Sequence, residues 1–118
     1  MVTIIAGGRE LTDPDIIPAA VAASGFAVTR LVCGMAPGVD MLAYAWATMY
    51  GIPITERPAD WTTHGHAAGP IRNRAMARIA DALIAIPGRG PGTWNMIGAA
   101  KSNGLTVFVY KIASARGR

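Results

Sequence analysis

Ala82-Leu83-Ile84-Ala85-Ile86, followed by Pro87-Gly88-Arg89-Gly90-Pro91-Gly92-Thr93, is the stretch that decides the architecture. Five apolar residues in a row, without polar alternation, fit a strand buried on both faces. The glycine- and proline-rich break ends that strand. Thr93 then opens a helical segment that turns Met96, Ile97 and Ala100 inward and stops at Asn103-Gly104. Four more apolar, β-branched runs lie at residues 2–6, 27–33, 52–56 and 105–110, with helical segments between them. Buried strands alternating with helices require a parallel sheet covered on both faces. Right-handed crossovers then predict an α/β fold: a small Rossmann-like, doubly wound sheet of five strands, most simply in the order 3-2-1-4-5.

The first helix is expected to begin near Asp13-Pro14 or at Pro18, and to stop at Ser24-Gly25. The second spans about 39–50. It carries Val39, Leu42, Trp46, Met49 and Tyr50 on one side and Met41, Tyr44 and Thr48 on the other. A helix apolar on both sides is buried twice, by its own sheet and by something else. A second copy of the chain is the simplest something else, which predicts a homodimer. A third helix is expected to open at Gly69-Pro70, with proline at its first position. Ile71, Ala75, Met76 and Ile79 then share a face, and Arg72 falls within the same apolar arc and the first turn. An inward guanidinium is costly unless something anionic meets it. That partner is either a structural carboxylate or a phosphate- or carboxylate-bearing ligand.

At 118 residues, 52% hydrophobic and 15% charged, the chain has enough apolar material for one core and is read as one domain over residues 1–110. A short basic tail follows at 111–118, read as a solvated end. No apolar run is long enough for a membrane span, and residues 2–6 read directly into a strand without the pattern of a signal peptide. The single Cys33 excludes an internal disulfide framework and suits a reducing compartment, so the cytoplasm is expected. Cys33 ends a buried strand and is read as core. A net charge of +4 and a pI near 9.8 point to anionic partners, nucleotides or nucleic acid.

The unusual loops all fall after strands, where open parallel sheets bind ligands. They are Gly7-Gly8-Arg9, then Gly34-Met35-Ala36-Pro37-Gly38-Val39-Asp40, then Arg57-Pro58-Ala59-Asp60-Trp61 with its long connection to Gly69, and finally residues 87–93. Glycines at helix openings bring backbone N–H groups close to an anion. None of these loops is a Walker motif, and the first is not a Gly-x-Gly-x-x-Gly fingerprint. Asp40, in the first turn of its helix, either caps backbone N–H groups or accepts ribose hydroxyls or orients an arginine. Trp61 and Trp94 either stack a purine or lid the core. His64 and His66 lack cysteine partners and metal spacing, and are read as loop histidines. The expected ligand-lining set is Gly7, Gly8, Arg9, Gly34, Gly38, Asp40, Arg72, Asn73, Gly88, Arg89, Gly92 and Thr93. No catalytic residue, metal or cofactor is indicated.

These motifs, together with His64-Gly65, Ala68-Gly69-Pro70, Arg72-Asn73 and Met76, resemble the SLOG superfamily, nearest to its YspA/YpsA-related branch, over nearly the whole chain and in order. The resemblance implies a Rossmann-like fold binding a nucleotide or nucleotide-derived ligand at the same edge, in a branch with many phage-encoded members. Its relatives include the LOG phosphoribohydrolases, which remove the base from nucleoside monophosphates, and the DNA-processing protein DprA. In LOG enzymes an arginine at the place of Arg72 and a glutamate shortly after the Gly-Thr pair carry the hydrolysis. Here that second place is Met96, and the residues 87–93 loop is one residue longer. Asp40, Glu56 and Asp60 are the carboxylates read at this edge. A ligand-binding sensor or sequestering domain is therefore the leading expectation. An N-glycosidic hydrolase and a DprA-like nucleic-acid module are the alternatives.

Overall fold

A computed structural model describes residues 1–112. The elements run β1 (Val2–Gly7), α1 (Ile16–Ser24), β2 (Arg30–Cys33), α2 (Val39–Met49), β3 (Ile54–Glu56), α3 (Trp61–His64), a 3-10 turn (Gly65–Ala67), α4 (Ala68–Ala77), β4 (Ala82–Ile86), α5 (Gly92–Ser102) and β5 (Thr106–Val109). All five strands are parallel, in the order β3-β2-β1-β4-β5. This is the expected small Rossmann-like α/β sheet. Of the basic tail at 111–118, residues 113–118 lie outside the described residues. No helix among the described residues is long and apolar enough to cross a membrane.

Side chains alternate across the strands, so the sheet builds two cores. Ile4, Leu83 and Ala85 face Met76, Ala77, Met96, Ile97 and Ala100 of α4 and α5. Ile5, Ile84, Ile86, Leu31 and Cys33 face Ile17 and Ala20 of α1 and Val39, Ala43 and Ala47 of α2. Every residue of β4 is buried, which is why that segment reads as an unbroken apolar run.

The helices differ in detail from the sequence reading. α1 starts at Ile16, leaving Pro18 at its third position, where proline's missing N–H still removes no intrahelical bond. The surface that α2 turns to the sheet is Val39, Ala43 and Ala47, whereas Met49 and Tyr50 are exposed. Small side chains let the helix approach the strands closely, and the large residues are displaced to its flanks. α4 begins at Ala68, so Pro70 is its third residue and Arg72 its fifth, beyond the first turn. Its buried face is Ala68, Asn73, Met76 and Ala77, and Ile79 is exposed. The reason lies upstream, in the connection that follows β3. The Asp60 side chain accepts the Thr63 N–H at 3.1 Å and caps the short α3, which runs through the 3-10 turn directly into α4.

Candidate functional site

β1 lies between β2 and β4, and the chain leaves it in one direction and returns on the other side. A crevice must open there beyond the carboxyl ends of the strands. It is a cavity of about 490 Å³, walled by the β1 loop (Gly7 to Glu10), Ala36 and Asp40, the start of α4 and the start of α5. A volume of that order is ample for a small organic ligand.

Of the twelve expected lining residues, Gly7, Gly8, Arg9, Asp40, Arg72, Asn73, Gly92 and Thr93 stand in this wall. Gly34 lines a smaller adjoining cavity instead. Gly38, Gly88 and Arg89 line neither, and their contacts shape the loops. The Gly8 N–H donates to the Ile86 carbonyl at 3.0 Å, and the Val39 N–H to the Gly8 carbonyl at 3.2 Å. The Arg89 N–H donates to Glu10 Oε2 at 2.8 Å. Three loops are thus tied to one another around Gly8.

Arg72 crosses between the two cavities and is only partly exposed. Its Nε donates to Asn73 Oδ1 at 2.9 Å, and its Nη1 donates to the Gly34 carbonyl. Both acceptors are neutral. Burial pulls the guanidinium pKa down, against the opposing pull of the nearby Asp40. The buried Asn73 passes the network on, its Nδ2 donating to Asn95 Oδ1 at 2.9 Å and so joining α4 to α5. Arg9 is exposed and lies 5.7 Å over the Trp61 ring, so Trp61 is a wall residue stacked on an arginine. Trp94 stands outside the wall, half exposed.

Asp40 is 4% exposed, and burial pushes its carboxyl up to about 6, although the Ala36 N–H, 3.2 Å from Oδ2, and Arg72 act in the other direction. It both caps the 34–38 loop and faces the cavity. Cys33 is buried, its thiol raised to about 11 by desolvation, and Sγ donates to the Asp40 carbonyl at 3.3 Å.

Three polar wall residues, Glu10, His66 and Asn95, lie outside the expected lining set. Glu10 is the second carboxylate of the cavity, whereas Glu56 and Asp60 are absent from the wall. Glu56 accepts the Tyr44 hydroxyl at 3.1 Å, and Asp60 caps α3. Glu10 is held ionised by its own backbone N–H and that of Arg89. Its place directly after Gly7-Gly8-Arg9 was the available signal. Asn95, in the first turn of α5, was legible only through its partner on another helix. His66 also lines the cavity, while His64 does not.

A family model described as YAcAr, the YspA, cpYpsA-related SLOG family, matches residues 1–64. The match takes in the β1 loop and the 34–40 loop; Arg72 and α5 lie beyond it. The gene 61 protein of Mycobacterium phage D29 is 38% identical over 85 residues, covering 66% of this chain and 68% of the phage protein. No solved structure matches.

Proposed function

We propose, for a chain that belongs to the YspA, cpYpsA-related SLOG family, that the edge cavity binds a nucleotide or nucleotide-derived ligand through its phosphate. The protein then acts as a sensor or a sequestering domain. The observation that carries this reading is Arg72, a partly buried guanidinium at the cavity wall that, among the described residues, hydrogen-bonds to the neutral oxygens of Asn73 and Gly34. The nearby Asp40 carboxylate accepts none of these bonds, so the partly desolvated guanidinium still has donors for a phosphate, whose negative charge offsets the cost of burying it. Arg9 adds a second cation, and the amides of the first turn of α5 add donors that complement negative charge.

Arg72→Ala is expected to weaken nucleotide binding by about 1.5–3 kcal/mol, roughly tenfold to 150-fold. Isothermal titration against the parent protein measures it, with circular dichroism checking that the fold persists. Unchanged affinity for every nucleotide that binds the parent would remove Arg72 from the site.

Binding is favoured over N-glycosidic hydrolysis because the wall position matching the LOG glutamate is the apolar Met96. The two carboxylates in the wall each accept a loop N–H, Asp40 from Ala36 and Glu10 from Arg89, and so help to hold the loops. A small molecule is favoured over nucleic acid because the convergent cations stand in a concave cavity rather than along an exposed groove.

The proposed homodimer rests on α2. Met41, Ala45, Thr48 and Met49 form an exposed stripe, with Met41 40% and Met49 77% exposed. The one charged residue of the helix, Asp40, is buried. Pairing such stripes across a two-fold axis removes apolar area from water without desolvating charge. Light scattering at micromolar concentration should find a dimer, and Met41→Asp combined with Met49→Asp should give monomers. A parent protein already monomeric, or a double variant still dimeric, contradicts the assignment.

A further inference from the structure

The smaller cavity beside the main one, about 240 Å³, lies between the loop that follows β2, the segment from Pro58 to Trp61, and the two arginines. It falls below the range of about 300–1,000 Å³ usual for an independent small-molecule site. Yet Arg9, Ala36, Trp61 and Arg72 line both cavities. The divider between the two spaces is therefore largely a pair of cationic side chains and the ring on which one of them rests.

We infer that the site takes a two-armed ligand: a phosphate or diphosphate centre at Arg9 and Arg72, a nucleoside in the larger cavity, and a second organic group in the smaller one. This rests on the nucleotide reading of the larger cavity and adds to it the class of ligand. Free monophosphates would leave the smaller cavity empty. Its lining by Met35, Pro37, Pro58, Ala59 and the Trp61 ring suits an apolar or ring-shaped group, such as a sugar face or a base. The divider can yield. Arg9 is exposed and held to Trp61 by a cation–π contact, which is weak at exposed sites. A charge-assisted hydrogen bond to phosphate is stronger than that contact. Arg72, by contrast, is held by Gly34 and Asn73 and fixes where the anionic centre sits.

The test titrates the full chain with the four common ribonucleoside monophosphates and with ADP-ribose, GDP-mannose, UDP-glucose and CDP-glucose. It then repeats the titrations with Ala59→Trp, which fills the smaller cavity from a partly exposed loop position outside the core clusters. At least one conjugate should bind about tenfold or more tightly than its matching monophosphate. Ala59→Trp should abolish that gain while leaving the monophosphate affinity within about twofold, which also shows that the variant is folded. Equal affinity of conjugates and monophosphates, or a loss common to both in Ala59→Trp, overturns the two-armed ligand and leaves the nucleotide reading standing. Failure of both classes to bind the parent protein overturns the nucleotide reading beneath it.

Discussion

Replacing Gly38 with alanine is expected to destabilise the fold by about 3–5 kcal/mol, combining backbone strain with steric displacement. Gly38 sits at φ 80 and ψ −130, a conformation that L-residues avoid, immediately before α2. A Cβ there would run into the Gly8 carbonyl oxygen and lie 2.7 Å from Arg9 Cα. Those atoms are backbone, so they cannot rotate away. Relief requires separating the β1 loop from the start of α2, which would break the Val39 N–H to Gly8 carbonyl bond. In a protein of ordinary marginal stability, about 5–15 kcal/mol, such a loss is severe. Gly25 provides the control. It also has positive φ, 71°, but has nothing within 4 Å of an added Cβ, so Gly25→Ala should cost only about 1 kcal/mol. Urea denaturation of the two variants measures the difference. Equal costs would mean that the contact with the β1 loop constrains nothing. Because Gly8, Arg9 and Asp40 all stand in the cavity wall, any folded Gly38→Ala protein should also bind the proposed nucleotide less well.

What the sequence made legible follows from the range of the interactions involved. β4 was bounded correctly at both ends because its residues are buried on both faces and glycine and proline terminate it. β2 and β3 were drawn too long at their starts, since Ala27, Val28 and Ile52 are apolar without belonging to the sheet. Arg72 was recognisable as an inward-facing cation, but for a partly mistaken reason. It lies in the second turn of α4, where the helix dipole contributes little, and its position is fixed instead by Gly34, 38 residues away. Glu10 shows the same limit. Nothing near it in the chain reveals that its partner is the Arg89 amide, 79 residues distant. On α2 hydrophobic size is a poor sign of burial, because proximity to a sheet selects Ala43 and Ala47 and leaves Met49 exposed.

Asp40 should make stability fall as pH rises through the mildly acidic range, by an amount near 3 kcal/mol. Its carboxyl titrates near 6 in the folded protein against 3.8 as a free side chain, chiefly because it is buried. Between those values the folded state holds a proton that the unfolded state has released. Stability therefore decreases with pH across that window and levels off above it. A displacement of about two pH units corresponds to about 3 kcal/mol. Asp40→Asn keeps an oxygen to accept the Ala36 N–H and removes the charge. At neutral pH it should be more stable than the parent by up to that amount, and the two should converge near pH 4. The comparison isolates Asp40 from the other carboxylates, Glu10 among them, which are common to both proteins. The consequence for binding has the same sign. The ionised Asp40 interacts with both Arg72 and Arg9, drawing on the positive field that a phosphate would use, and removing it should tighten phosphate binding at neutral pH. Denaturation curves from pH 4 to 8 that stay parallel for the two proteins would show that Asp40 bears no desolvated charge. A weakened phosphate affinity in Asp40→Asn, with stability raised as expected, would instead assign its carboxylate to the ligand's hydroxyl groups.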